Sequence, residues 1–96
     1  MDKKKLTNEQ ILEALEKSER WGTNYQPDLE DIFTFLKEVN EKCGLINVEA
    51  VDDTLDFTTF KPLTPSLAFK MAWLLSCDGA PEEIEDDQTH FTLWWD

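Results

Sequence analysis

His90 is the single histidine of this 96-residue chain, and Cys43 and Cys77 are its two cysteines. One imidazole excludes a metal centre or an acid–base pair built on two histidines. A thiolate from Cys43 or Cys77 with His90 as its base would make a nucleophilic pair. The flanking residues oppose it. Each cysteine falls where a helix is expected to stop, just before Gly44 and Gly79, and a helix C-terminus disfavours the thiolate a nucleophile needs. Gly22, Gly44 and Gly79 stand alone as helix stops, so there is no phosphate-cradling loop and no Gly-rich oxyanion turn. No catalytic residue and no cofactor is expected, and the chain reads as a non-enzyme.

The carboxylates carry the remaining chemistry. Glu82, Glu83, Glu85, Asp86 and Asp87 crowd one segment, and Asp52, Asp53 and Asp56 another. A calcium loop places its oxygens at alternating positions and needs a glycine for its sharp turn. Here the acids are contiguous and Gly79 precedes them, so no metal site is expected. Adjacent carboxylates repel one another, and a cation-rich partner would account for their concentration. The two acidic segments, together with Trp94 and Trp95 as aromatic anchors ringed by charge, form the candidate partner-binding set.

The whole chain bears the same stamp. It has 21 Asp and Glu against 9 Lys and Arg, a formal net charge of −12. Lys3, Lys4 and Lys5 sit in a basic N-terminal tail, residues 1–5, expected to be flexible; no Lys or Arg follows Lys70. Such a field repels nucleic acid and anionic membrane and draws in basic partners. With 41% hydrophobic residues, six Phe, four Trp and one Tyr, the acids decorate a folded body rather than a disordered tail. One small domain over 1–96 is expected. No signal-peptide core or membrane-length apolar run is present, which points to a cytoplasmic protein with free thiols.

The elements that would position these groups follow from caps and periodicity. Thr7 with Gln10 three residues on is a capping-box pattern, and Ile11, Ala14, Leu15 and Ser18 form the inner stripe of the first helix. Glu13–Lys17 and Glu16–Arg20 are spaced as i,i+4 ion pairs. A loop, residues 21–27, leads to a second helix with Pro27 suited to its first position. Leu29, Ile32, Phe33, Leu36, Val39 or Asn40, and Cys43 make its apolar stripe; Phe35, off the stripe, requires a wide buried face or an exposed ring.

From Leu45 the period changes to two. Ile46, Val48 and Ala50, then Leu55, Phe57 and Thr59, alternate with polar neighbours across an acidic turn at Asp52-Asp53, which predicts a hairpin. Thr64-Pro65 starts a third helix running to about Cys77, apolar nearly all round and so expected at the centre or against an interface. Thr89–Trp95 reads as a third strand with Phe91, Leu93 and Trp95 on one face. The order α-α-β-β-α-β predicts an α+β domain, helices packed on one face of a three-stranded antiparallel sheet.

These features anticipate an acidic binding protein that occupies the basic surface of a nucleic-acid-handling protein, as inhibitors of the phage or mobile-element, anti-defence kind do. A strict DNA mimic is harder to build from one helix. Carboxylates three or four residues apart lie about 5–6 Å apart, whereas a DNA strand advances about 3.4 Å per phosphate. The alternative is a structural subunit that oligomerises through the apolar third helix and the Trp94-Trp95 pair.

Overall fold

A computed structural model describes residues 4–22, 27–75, 85 and 87–95. Helix α1 (Asn8–Glu16) begins at the expected capping box, with the Gln10 amide donating to Thr7 Oγ1 and the Gln10 side chain accepting from the Thr7 amide. Helix α2 (Leu29–Lys42) is capped by Asp28 in extended conformation. Pro27 therefore lies one residue before the cap rather than inside the helix. Its carbonyl accepts from the Gly22 amide, which closes the intervening loop.

Strands β1 (Leu45–Val51), β2 (Thr54–Thr59) and β3 (His90–Trp94) form one antiparallel sheet in the order β1-β2-β3. The two-residue turn Asp52-Asp53 joins β1 to β2, with Asp52 at φ 50°, a left-handed conformation that Asp tolerates better than most residues. Helix α3 (Pro65–Leu75) makes the long connection to β3. Its start is as the sequence indicates, with the Leu67 amide donating to Thr64 Oγ1.

The helices lie on one side of the sheet. Facing them, Leu55 and Phe57 of β2 and Phe91 and Leu93 of β3 are buried with Trp95, as the alternation requires. In β1 the alternation slips. A bulge between Leu45 and Asn47 turns Leu45 inward with Val48 and Ala50, and leaves Ile46 half-buried. An extra residue on one strand shifts the side-chain phase by one, so the Ile46 position expected from period two is taken by Leu45. On α2 the buried face is wide: Ile32, Phe35, Leu36, Val39 and Asn40 are all buried. Phe35 meets Phe57 edge-on at 6.2 Å, and Phe57 stacks on Phe91 at 5.1 Å. Aromatic pairs at these separations add to the area term of core stability.

Two expectations are corrected here. Helix α3 is peripheral rather than central. It lies beside α2, to which Lys70 is tied through Glu38, and it buries Leu67 and Met71 while Phe69 on its outer side is 72% exposed. Arg20 lies beyond the end of α1 at Glu16 rather than on the helix, and its Nε meets Asp53 Oδ1 at 3.0 Å.

Candidate functional site

The sheet has a second face, turned away from the helices. A two-residue turn at 52–53 makes β1 and β2 partners sum to 105 in residue number, so Glu49 stands directly opposite Asp56. On the other side of β2, Asp56 pairs with Thr92 and Thr54 with Trp94. The outward face thus carries three rows: Val51, Thr54 and Trp94; Glu49, Asp56 and Thr92; Asn47, Thr58 and His90. Not one of these nine is a Lys or Arg.

Like charges set directly across an antiparallel pair destabilise a sheet. One neighbour relieves the Glu49–Asp56 pair: His90 Nε2 is hydrogen-bonded to Asp56 Oδ1 from the adjacent strand. Apolar surface flanks the acids, with Val51 55% and Trp94 45% exposed.

The expected contact residues are only partly gathered. Asp56 and Trp94 share the outward face, and Asp52 and Asp53 form the turn at one end of it. That turn is tied down from inside: the Ser18 hydroxyl donates to the Asp52 carbonyl at 3.2 Å, and the Trp95 amide donates to the Asp53 carbonyl at 3.0 Å. Glu85 and Asp87 precede β3 at the opposite end, where the Thr59 amide bonds the Thr89 carbonyl. About 17 Å of strand separates the two acidic ends, at about 3.3 Å per residue. Glu82, Glu83 and Asp86 lie outside the described residues, as do Cys77 and Tyr25.

Trp95 is not a surface anchor. It is 2% exposed, packed edge-on against Trp21 at 5.7 Å. Successive strand residues point to opposite faces, so only one of two neighbouring tryptophans can face outward, and that one is Trp94. Trp21 is itself half-buried, and its indole donates to the Leu15 carbonyl at the end of α1. Glu49, Val51 and His90 belong to the outward face but were missing from the expected set. The signal for Glu49 was available in the turn: once its two residues are fixed, the register follows.

Cys43 and His90 do not meet. The Cys43 thiol is buried and donates to the Pro62 carbonyl at 3.4 Å, while the His90 ring lies on the outward face. Among the described residues, no group of three His, Cys, Asp or Glu is placed to hold a metal ion, and no helix is long and apolar enough to cross a membrane.

Arg20 meets Asp53 at the turn and Lys17 lies beside β1, while other basic residues gather near α2. Lys5, Lys42 and Lys61 line a depression at the C-terminal end of α2, and Lys5 and Lys37 line a larger one between α2 and the N-terminal segment. Glu38 lies between Lys42 and Lys70, at 3.3 and 2.7 Å. The Lys70 hydrogen bond, then that of Lys42, holds its carboxyl below the usual glutamate range, with slight desolvation acting the other way. No known family, characterised protein or solved structure matches this chain.

Proposed function

We propose that the chain is a non-enzymatic binding protein whose outward sheet face engages a basic protein surface. The observation that carries this reading is the Glu49–Asp56 pair, two carboxylates set directly opposite one another, an arrangement that taken alone disfavours a sheet. Features that oppose folding gather where a surface serves binding. Trp94 and Val51 on the same face supply apolar contact area beside the charge, the composition of an interface anchor.

The partner class we favour is a nucleic-acid-handling protein, since its surface is built to receive anions. The match is one of charge rather than of duplex geometry. From Asp53 to Asp56 is three residues, about 10 Å of strand, roughly three times the phosphate rise along one DNA strand. The carboxylates attract a basic surface without tracing a backbone.

Immobilised protein should retain basic nucleic-acid-binding proteins from lysate at low salt and release them in a salt gradient, with duplex DNA competing. The double variant Glu49→Lys/Asp56→Lys should lose that set, while Glu16→Lys/Glu19→Lys, an equal change in charge at and just beyond the end of α1, should keep it. If both variants retain the same proteins as the wild type, the outward face is not the contact. A second reading, self-assembly through α3, rests on the exposed ring of Phe69. It predicts an oligomer that persists or tightens in high salt by sedimentation.

A further inference from the structure

His90 is the one basic side chain on the outward face, and its ring is hydrogen-bonded to the carboxylate at the centre of that face. Asp56 stands on the middle strand, with Glu49 opposite it on β1, Thr92 opposite it on β3, and Thr54 and Thr58 two residues away along β2. His90 pairs with Thr58, so it reaches Asp56 along the diagonal between neighbouring strands, a span that a ring side chain covers.

The bond fixes the tautomer. A carboxylate only accepts, so Nε2 of the neutral ring carries the proton and donates it to Asp56 Oδ1. A second proton therefore goes to Nδ1. The His90 side chain is 59% exposed, which lets the ring exchange that proton with water. Between about pH 5 and 8, imidazole is the side chain whose charge ordinarily changes. The charged groups that act on the ring, among the described residues, come from all three strands and their ends. They are Asp56 on β2, Glu49 beyond it on β1, Lys61 two residues past β2, and Glu85 and Asp87 ahead of β3. Of these, Asp56 is the one bonded to the ring.

We propose that His90 is a pH-sensitive gate on the contact surface. The inference rests on the reading of the outward face given above and adds how its hold on a basic partner is regulated. With the ring neutral, the face carries the charges of Glu49 and Asp56 and no Lys or Arg to offset them. With the ring protonated, one of the two is balanced from within the face. The bond from Nε2 to Asp56 then joins opposite charges and is roughly twice as strong as its neutral form, so an arriving Lys or Arg must displace it. Both effects have the same sign: acidification weakens capture. Linkage is reciprocal, so a bound cation drives a proton off His90. The change is graded rather than all-or-none, because these groups are exposed and salt screens them.

The probe is a dye-labelled peptide of four arginines with blocked ends, whose charge is constant over this range. It is titrated onto the full chain at low salt and followed by anisotropy. From about pH 8 to about pH 6 the wild-type affinity should fall about fivefold, the low end of coupling between linked sites. Calorimetry in two buffers of different ionisation enthalpy should show protons released on binding at the lower pH. His90→Gln, which keeps a donor near Asp56 and does not titrate, should hold nearly the same affinity at both pH values and release no protons. His90→Lys, charged throughout, should bind at the higher pH as weakly as the wild type binds at the lower. Equal pH dependence in the wild type and His90→Gln would overturn the gate. In that event Glu49→Gln/Asp56→Asn separates the two readings: weaker binding at the higher pH removes the gate and keeps the face as the contact, whereas wild-type binding at both pH values removes both.

Discussion

Asn40 is the buried polar residue on which the junction of three segments depends. At 6% exposed, its side chain donates from Nδ2 to the Leu6 carbonyl at 2.6 Å and accepts at Oδ1 from the Leu45 amide at 2.8 Å. It thereby fastens the N-terminal segment and the start of β1 to α2. Asn40→Leu keeps the volume and removes both bonds. The Leu45 amide, in a residue with no exposure, would be stranded at a cost of about 1–3 kcal/mol. The Leu6 carbonyl, half-buried, recovers water and loses about 0.5–1.5 kcal/mol. Together these lower stability by about 2–4 kcal/mol, a large share of the total for a domain of this size. With a urea slope of about 1–1.5 kcal/mol/M, the midpoint should fall by about 2 M. Urea titration on the fluorescence of the Trp21–Trp95 pair, with exchange at the Leu45 amide, measures it. A loss below about 0.5 kcal/mol, the scale of ordinary surface changes, would refute the reasoning, since added apolar volume would then replace the two bonds.

Gly44, at φ 77°, would place an added Cβ 3.0 Å from Phe60 Cδ2. Gly44→Ala should cost about 1–2 kcal/mol for the left-handed backbone alone, and a Phe60→Ala background should recover only the contact part, as chemical denaturation would show. Ionised Glu38 stabilises the fold fully above the ordinary glutamate value of 4.5 and ceases to do so as pH falls through its lower folded value. The Glu38→Gln variant should therefore lose less stability than the wild type on acidification below about pH 4.5, measured by thermal unfolding across pH. The two adjacent tryptophans should separate cleanly. Trp95→Ala should cost about 3–5 kcal/mol, whereas Trp94→Ala should cost under about 1 kcal/mol and instead weaken capture of a basic partner.

Most of the fold was legible because local signals agreed with one another. The Thr7–Gln10 box, Thr64-Pro65 and the alternation of Leu55, Phe57 and Thr59 each specify an element without help from distant residues. What escaped was set by tertiary geometry. No spacing announces the β1 bulge, because Ile46 and Leu45 are equally suited to an inward position and the choice falls to the closure of Gly44 onto Phe60. The apolar character of α3 suggested either a central position or a place against an interface. Yet three strands backed by α1 and α2 already fill the inner face, which leaves α3 against the flank of α2. The site was half legible: Asp56 and Trp94 were read as contact residues, while Glu49 required the register and His90 required the pairing of β2 with β3.

Charge and backbone divide the recognition problem between them. A net −12 attracts cations from every direction, so by itself it selects nothing beyond sign. The fold breaks that symmetry. Lys5, Lys42 and Lys61 gather at the end of α2, and the outward sheet face keeps Glu49 and Asp56 with no Lys or Arg among them. On the function proposed above, a basic partner would meet the outward face first, and encounter of this kind falls with salt. The edge of β1 is no part of that face, since Val48 and Ala50, which turn away from β2, are 7% and 3% exposed. Edge strands in solution are ordinarily blunted by a charge or a bulge, and β1 carries both, at Glu49 and at residues 45–47. Burial of Val48 and Ala50 adds to that protection, so the edge is closed to self-pairing while the carboxylates of the outward face are left for the contact proposed above.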